Sequence, residues 1–168
     1  TGCGNCHSGA LLSDQQFHAT GIVQLGPGKA GTEPFDHGRE HATGDSADRW
    51  AFRTPPLRNT ALSGPWMHDG ALLSIEAVLV HYALPQNSAA TYDPQELHPD
   101  LQGTVQQDPD HIAELVDAFS PVLPTPTDGS GTVGLSNLRA FLNALTDPAA
   151  EDMSSLRPAT VPSGLPVP

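Results

Sequence analysis

The feature that most constrains this chain is a C-x-x-C-H string near its start, formed by Cys3, Cys6 and His7. Two thiols at this spacing lie on one turn, where each can add across one vinyl group of a porphyrin to form a thioether. The adjacent imidazole then falls beneath the iron and becomes its axial ligand. The string is the attachment signature of a c-type haem, and we expect one covalently bound haem c at these residues.

Three other interpretations of the string are a redox C-x-x-C, half of a zinc site and a disulfide. A zinc site would need a second pair of ligands at tight spacing, and the sequence contains no other cysteine. A thioredoxin-like motif follows a strand in an α/β chain, and no strand pattern stands before Cys3. None of the three requires a histidine directly after the second cysteine, so haem attachment is favoured.

The composition indicates a loop-rich chain that a cofactor would help to fold. The 168 residues suffice for one domain, only 38% of them are hydrophobic, and there are 16 glycines and 17 prolines. A buried porphyrin would supply apolar surface that the side chains lack. The net charge of −12 argues against a nucleic-acid partner, since phosphate binding needs clustered Lys and Arg. The negative charge could steer a basic redox partner to the chain, or it could simply keep the protein soluble.

The sequence also indicates where such a chain works. No apolar run approaches the length of a membrane span, so we expect no membrane-spanning helix. Covalent haem attachment takes place outside the cytoplasm, and we therefore expect a periplasmic or otherwise extracytoplasmic location. Small c-type cytochromes have a helix before the haem motif, whereas only two residues precede Cys3 here. We expect the chain to be a fragment of a longer protein.

Three segments have apolar residues at helical spacing, and each is predicted to be an α-helix: 74–82 with Ser74 as its N-cap, 109–119 and 135–145. The stretches 29–50 and 84–110 are polar and interrupted by Gly and Pro, which predicts long loops. We predict an all-α, cytochrome c-like helical domain around the haem at 1–147, without the usual preceding helix. A Pro-rich extended tail at 148–168 follows it.

The ligand on the other side of the iron is a separate question. Met67 follows His7 at a separation like that in many single-haem cytochromes, while Met153 lies in the Pro-rich tail. A thioether ligand favours Fe(II) and raises the reduction potential, so we predict Met67 as the axial ligand. His68 is a rival ligand, an open iron is a third possibility, and Met67 as a packing residue is the non-ligand alternative. A closed iron transfers electrons, whereas an open iron can react with peroxide.

Several stretches, in the family's order, resemble the C-terminal haem half of bacterial di-haem cytochrome c peroxidases, including the related MauG-type enzyme that matures a tryptophan-derived quinone. The matching stretches are 3–7, 17–21, 36–39, 43–45, 52–59, 65–70 with the helix after it, and 138–148. Leu57-Arg58-Asn59 and His68-Asp69-Gly70 are the most specific, because helical periodicity alone would not produce them. The chain departs from the family in having one C-x-x-C-H and no N-terminal domain, Trp66 where Tyr is common, and Pro56 where Ser or Thr is common.

The resemblance implies a c-type haem domain of a di-haem peroxidase-like oxidoreductase, which passes electrons to or from a second haem or a redox partner in peroxide-dependent oxidation. It implies as partners an N-terminal haem domain or second chain and a small redox protein, and as a further cofactor a calcium ion at a domain interface. This chain alone is expected to transfer electrons only. The alternatives are a mono-haem electron-transfer cytochrome without peroxidase activity and a structural haem domain in a larger assembly.

Further residues are candidates for holding the cofactor. Arg53 and Arg58 are the preferred partners of the haem propionates, since a guanidinium offers a carboxylate two donors, and Arg39 and Arg49 compete with them. Trp66 is a candidate to pack on the porphyrin or to relay electrons between haems, as an aromatic near this haem does in the family; plain packing is the alternative. For Asp69 the alternatives are orienting the imidazole of His68 and capping the turn before Gly70.

Overall fold

The computed structural model describes residues 2–29, 31–119, 133–158 and 161–163 of the chain. It is mainly helical, as the sequence predicts, with long irregular connections. The α-helices within the described residues are α1 (Glu40–Thr43), α2 (Ile75–Ala83), α3 (Pro85–Ala90), α4 (Pro99–Gln102), α5 (Pro109–Asp117) and α6 (Val133–Ala144). Single 3-10 turns occur at Gly2–Asn5, Ser46–Asp48, Thr60–Leu62, Pro94–Glu96, Pro148–Ala150 and Ser154–Leu156.

A two-stranded antiparallel ribbon departs from the all-α prediction. Strand β1 (Phe17–Ala19) pairs with β2 (Ala51–Arg53), and His18 lies opposite Phe52. Periodicity did not reveal the ribbon because each strand has only three residues, too few to show alternation. Gly38 lets the preceding loop run alongside β2, since its φ is +64° and a Cβ there would collide with the carbonyl of Ala51. The ribbon holds the chain after the haem motif against the extended segment that follows β2.

The three predicted helices are confirmed, with ends shifted by a few residues. Ser74 caps α2 as expected, because its Oγ accepts a hydrogen bond of 3.1 Å from the backbone NH of Ala77. Helix α5 begins at Pro109 after the capping carboxylate of Asp108 and ends at Asp117, two residues before the predicted end. Helix α6 spans Val133–Ala144 and contacts both α2 and the 3-10 turn at Thr60–Leu62.

The polar stretches 29–50 and 84–110 are not loops throughout, because α1 lies in the first stretch and α3 and α4 lie in the second. Pro85 and Pro99 are the first residues of α3 and α4. Proline disrupts the interior of a helix. At the first position, however, a backbone NH has no acceptor within the helix, so proline loses no hydrogen bond there, and its fixed φ suits the helix. The prolines therefore begin helices here rather than exclude them.

The C-terminal part is described only in pieces. Short 3-10 turns occur within 148–158, all of it exposed except Ala150. Residues 159–160 and 164–168 of the predicted tail lie outside the described residues, and the division of the chain at 147/148 stays a prediction. Within the ranges that the structure describes, no helix has both the length and the apolar character needed to cross a bilayer.

The core lies on either side of the extended segment that follows β1. One cluster of buried residues joins that segment to the loop before α2 and to α3: Ile22, Val23, Ala71, Leu72 and Ala89. A second cluster packs Ala19 and Trp50 of the ribbon region against Leu115 of α5. Tyr92 packs against the first cluster, and its hydroxyl donates a 2.6 Å hydrogen bond to the carbonyl of Ala71. The first cluster also packs against Met67 and Val78, which line the cavity described below.

His81 of α2 is a fully buried polar residue in this framework, with 0% of its surface exposed. Its Nε2 lies 2.7 Å from the carbonyl oxygen of Thr20, so Nε2 is the donor, and Nδ1 lies 3.2 Å from Oγ of Ser88. Burial lowers the pKa of His81, and the hydrogen bond to Thr20 opposes this only partly. The imidazole is therefore neutral in the folded protein.

We expect His81→Gln to reduce the free energy of unfolding at pH 7 by about 1–3 kcal/mol, because buried hydrogen bonds are disturbed. The difference in free energy of unfolding between the wild type and His81→Gln should become smaller as the pH falls below about 6.5, the ordinary pKa of histidine. The unfolded wild-type chain then binds a proton that the folded chain refuses, which costs wild-type stability up to about 1.4 kcal/mol per pH unit. Urea unfolding of both proteins between pH 5 and pH 7.5 measures the difference.

The matched control is His98→Gln, whose side chain is 71% exposed and which should leave the pH profile of the wild type unchanged. Other buried groups titrate in the same pH range in all three proteins. The effect of His81 is therefore measured by the differences between their profiles of unfolding free energy against pH. Parallel profiles for the wild type and His81→Gln would contradict the neutral, buried state of His81.

Candidate haem-binding site

The C-x-x-C-H string folds into a single helical turn. The 3-10 turn Gly2–Asn5 carries Cys3, and the backbone NH groups of Cys6 and His7 donate to the carbonyl of Cys3 at 3.3 and 2.8 Å. Both cysteines are unpaired thiols of intermediate burial. The turn brings both thiols and the imidazole to the wall of one cavity. Local hydrogen bonding thus arranges the residues as the motif predicts.

The ring of His7 has a defined tautomer. Its Nδ1 lies 2.9 Å from the carbonyl oxygen of Leu12. A carbonyl can only accept a hydrogen bond, so Nδ1 carries the proton and donates. In the neutral imidazole, Nε2 is then the nitrogen whose lone pair is available, which is the arrangement that orients histidines as metal ligands.

The cavity has a volume of about 390 Å³. Its walls come from five parts of the chain: the cysteine turn, His18 and Thr20 of and after β1, residues 52–57 of and after β2, residues within 60–68, and Val78 and Tyr82 of α2. The donor set is two thiols and an imidazole on one wall with a thioether, Met67, also in the lining. These residues fit a haem c, since its ring needs an apolar slot and its vinyl groups and iron need the thiols and the imidazole.

Met67 and His68, the two candidates for the sixth iron ligand, both line the cavity. Met67 has a φ of +72° and packs partly against the first core cluster. The ring of His68 stacks on Phe52 with centroids 3.6 Å apart and planes 12° apart. Its Nε2 also lies 3.4 Å from the amide nitrogen of Gln24. The imidazole thus has neighbours of its own, and Met67 as the ligand remains a prediction.

The side chain of His68 is only 13% exposed, although the residue as a whole is exposed through its backbone. Burial lowers the pKa of His68 to about 4, so the ring is neutral at pH 7. Asp69 beside it is 8% exposed, and burial raises the pKa of its carboxyl to about 7. Its Oδ1 accepts a 3.1 Å hydrogen bond from the NH of Ala71, whereas Oδ2 is 3.9 Å from Nε2 of His68. Asp69 caps the turn and does not hydrogen-bond the imidazole.

The two preferred arginines have different positions. Arg53 lines the cavity, and its Nη1 donates a 2.7 Å hydrogen bond to Oε1 of Gln15. Arg58 is exposed and is not among the described lining residues; its Nε and Nη2 donate to the carbonyl of Ala10 at 3.2 and 2.9 Å. Arg53 is thus available to a carboxylate at the cavity edge, whereas Arg58 clamps the loop that follows the haem motif.

The competing arginines are held elsewhere. Arg39 pairs with Asp48 at 3.1 Å, and Arg49 pairs with Glu40 and Glu114 at 2.9 and 3.2 Å. Neither is among the described residues that line the cavity. These ion pairs leave Arg53 as the candidate arginine whose position suits a propionate.

Trp66 lines the cavity with its indole ring in a defined position. The indole Nε1 donates a 2.9 Å hydrogen bond to the carbonyl of Thr60, and the Trp66 backbone forms an antiparallel bridge with Leu72. A fixed indole at the cavity wall is compatible with packing on a porphyrin and with electron relay.

Four lining or supporting residues had no assigned role in the sequence: His18, Gln24, Phe52 and Tyr82. His18 and Phe52 meet the cavity because the ribbon pairs them, and a three-residue ribbon leaves no periodic signal. Tyr82 did have a signal, since it falls on the apolar face of the predicted helix with Val78. Burial raises the pKa of Tyr82 to about 12, so its hydroxyl stays protonated.

The calcium ion implied by the resemblance stays a prediction. Among the side chains that the structure describes, one group of His, Cys, Asp or Glu is close enough to hold a metal: Cys6, Asp14 and His18. This mixed set of sulfur, oxygen and nitrogen donors does not suit calcium, which binds through oxygen ligands.

Comparison with known proteins gives a consistent set of relatives, although no family model matches the chain. The methylamine utilization protein MauG of Methylorubrum extorquens is 43% identical over 81 residues, 48% of this chain and 21% of its own length. The cytochrome c551 peroxidase of Pseudomonas aeruginosa is 34% identical over 76 residues, 45% of this chain and 22% of its own length. The cytochrome-c peroxidase IdrP1 of Denitromonas iodatirespirans is 28% identical over 145 residues, 73% of this chain and 38% of its own length.

A solved structure supports the same assignment. The crystal structure of a MauG-like protein associated with microbial copper homeostasis matches with a TM-score of 0.53 and 26% identity. The match covers 90% of this chain and 44% of that protein. The chain therefore spans less than half the length of each of these relatives. Its sequence and its fold agree on one conclusion: the chain is related to MauG and the bacterial cytochrome c peroxidases, with sequence matches that cover 45% to 73% of its length.

Proposed function

We propose that this chain is the c-type haem domain of a di-haem cytochrome c peroxidase-like oxidoreductase. In this proposal it passes electrons to or from a second haem or redox partner during peroxide-dependent oxidation. The observation that carries the proposal is the common cavity of Cys3, Cys6, His7 and Met67 in a chain related to MauG and cytochrome c peroxidases. The second haem then belongs to a part of the protein outside the matched region or to another chain.

In the proposed site the protein binds the cofactor through three residues of one turn. Cys3 and Cys6 would hold it through thioethers, so that it would not be lost during turnover. His7 offers Nε2 to the iron, because its Nδ1 proton is committed to the carbonyl of Leu12. When bound, the haem supplies a one-electron iron couple.

Met67 and His68 of the cavity lining are the residues that would make the iron closed rather than open. Met67 is proposed as the residue that would bind the iron together with His7, and a thioether ligand would raise the reduction potential. The His68 ring is held against Phe52 and near Gln24, which favours Met67 over His68. A closed iron suits electron transfer, so peroxide would react at the other haem.

The cavity edge is proposed to orient the cofactor and admit electrons. Arg53 would pair with a propionate, giving up or sharing its hydrogen bond to Gln15. Trp66 would pack on the ring or carry electrons toward the second haem, held by its bond to Thr60. We propose an extracytoplasmic location, a small redox protein as electron donor or acceptor, and calcium at the interface with the second haem domain.

A mono-haem electron-transfer cytochrome is the second candidate function. The observation that favours it is the single C-x-x-C-H, with Met67 on the same cavity as His7. The two candidates share the site and differ only in whether a second haem completes the enzyme.

The native protein, purified from the periplasm of its source, distinguishes the two candidates. We expect a mass well above 17.6 kDa plus one haem, two haems per molecule, and peroxide consumption when a reduced small cytochrome is the donor. Intact-mass analysis, haem quantification and donor oxidation are the measurements. The control is the same assay without peroxide, which reports donor oxidation by other routes. A native protein of this chain's mass with one haem, no partner and no peroxide consumption would support the mono-haem cytochrome instead.

A further inference from the structure

Asp14 lies directly behind the attachment point of the proposed haem. Its backbone NH donates a 2.7 Å hydrogen bond to the carbonyl of Cys6. One of its carboxylate oxygens, a ring nitrogen of His18 and Sγ of Cys6 all lie within 4.8 Å of one another. The Cys6 sulfur would be bonded to the porphyrin, so the carboxylate is a near neighbour of the ring edge.

The Asp14 carboxylate is held in place on both oxygens. Oδ1 accepts a 2.9 Å hydrogen bond from the NH of Gln16, and Oδ2 lies 2.8 Å from Nε2 of His18. The Asp14 side chain is 17% exposed and that of His18 is 28% exposed. His18 itself lines the cavity. The carboxylate therefore cannot turn away from Cys6 without losing both hydrogen bonds.

The charge on Asp14 is permanent under ordinary conditions. Burial alone would raise the pKa of this carboxyl, but the hydrogen bonds from Gln16 and His18 outweigh it and hold the pKa at about 2. A largely covered charge is screened less by salt than an exposed one.

We propose that Asp14 sets the reduction potential of the haem held by Cys6, by fixing a negative charge beside the attachment point. A negative charge stabilises Fe(III) relative to Fe(II), so it lowers the potential. The thioether proposed at Met67 acts in the opposite direction. Asp14 is a positioning and electrostatic residue in this proposal, which rests on the proposed function.

The test is the reduction potential of the haem-loaded protein with Asp14→Asn, which keeps the shape and an oxygen acceptor but removes the charge. At a fixed solution potential we expect the Fe(II)/Fe(III) ratio to rise about three- to tenfold, a tenfold change being about 59 mV for one electron. Asp14→Ser is a second neutral variant that can retain a turn hydrogen bond, and Asp14→Glu keeps the charge. The reduction potentials of Asp14→Asn and Asp14→Ser should rise by similar amounts. That of Asp14→Glu should stay close to the wild-type value.

The matched control is Asp45→Asn. Oδ1 of Asp45 accepts a 2.9 Å hydrogen bond from the NH of Ala47, as Oδ1 of Asp14 does from that of Gln16, but Asp45 is exposed and is not among the described lining residues. The Asp45→Asn substitution removes one negative charge from the same kind of turn. The reduction potential of the haem should therefore stay at the wild-type value.

Unchanged potentials in haem-loaded Asp14→Asn and Asp14→Ser would overturn the proposal. Loss of haem from both neutral variants, with or without its loss from Asp14→Glu, would assign Asp14 to attachment and overturn it as well. Failure of the proposed haem attachment has a different signature, because the wild-type chain would then carry no covalent haem in a stained denaturing gel. Failure of the di-haem proposal alone would leave that haem in place and would appear as the one-haem native protein described above.

Discussion

Replacing both Cys3 and Cys6 with serine is expected to abolish covalently bound haem. The two thiols are unpaired, lie on one turn and line the same cavity, and the sequence contains no other cysteine that could replace them. Expression in a host that attaches haem outside the cytoplasm, followed by haem staining of a denaturing gel and intact-mass analysis, measures the effect. The loss should be essentially complete, because a hydroxyl does not form the thioether.

The single variants Cys3→Ser and Cys6→Ser sharpen this test. Each keeps one thiol, so each is expected to retain some haem through one thioether, at a lower yield than the wild type. Ser8→Ala is the control, since Ser8 is exposed, follows His7 directly and contributes no thiol. Covalent haem in the double serine variant would contradict the assignment of the string.

Met67→Ala is expected to have the second largest effect. The ferric charge-transfer band in the red, which accompanies a methionine ligand, should disappear. The Fe(II)/Fe(III) ratio at a fixed solution potential should fall about a hundredfold, since a thioether ligand favours Fe(II). The physical reason is the position of Met67 in the cavity that also contains His7. Optical spectra and redox titration of the haem-loaded protein are the measurements.

Two variants serve as comparisons for Met67→Ala. Met153 is 58% exposed and belongs to the C-terminal stretch, so Met153→Ala should leave both the band and the potential unchanged. His68→Ala removes the rival ligand and should leave the band in place. A wild-type protein without the band, or a band lost in His68→Ala and kept in Met67→Ala, would show that Met67 is not the ligand.

The helices were predictable where their signals are local. Segment 74–82 has an N-cap serine and an apolar face, and both act within a few residues of one another. Helices α3 and α4 were missed because their prolines resemble the prolines of loops, and only the backbone around Pro85 and Pro99 shows that they occupy first positions. The ribbon was missed because its stability comes from pairing 17–19 with 51–53, a contact between distant parts of the chain.

The candidate site likewise has features that the sequence predicts and features that only the structure decides. Arg53 and Arg58 were equal as candidates, since both guanidiniums offer the same donors. The structure separates them: Arg53 lines the cavity, whereas Arg58 binds the carbonyl of Ala10. Asp69 had two possible roles, and its hydrogen bond to Ala71 selects the capping role. Each distinction depends on the position of a backbone group that sequence patterns do not report.

The sequence by itself predicted the attachment chemistry and the relation to MauG and the cytochrome c peroxidases, because a C-x-x-C-H string and short motifs such as Leu57-Arg58-Asn59 act through neighbouring residues. Only the tertiary structure decided which distant residues share the cavity with His7: Phe52, Met67, His68 and Tyr82, together with the Asp14–His18 pair behind Cys6. These residues are brought together by the ribbon, by the packing of α2 and by the buried segment 21–24. Those contacts join parts of the chain far apart in sequence, so their geometry emerges only when the core is packed.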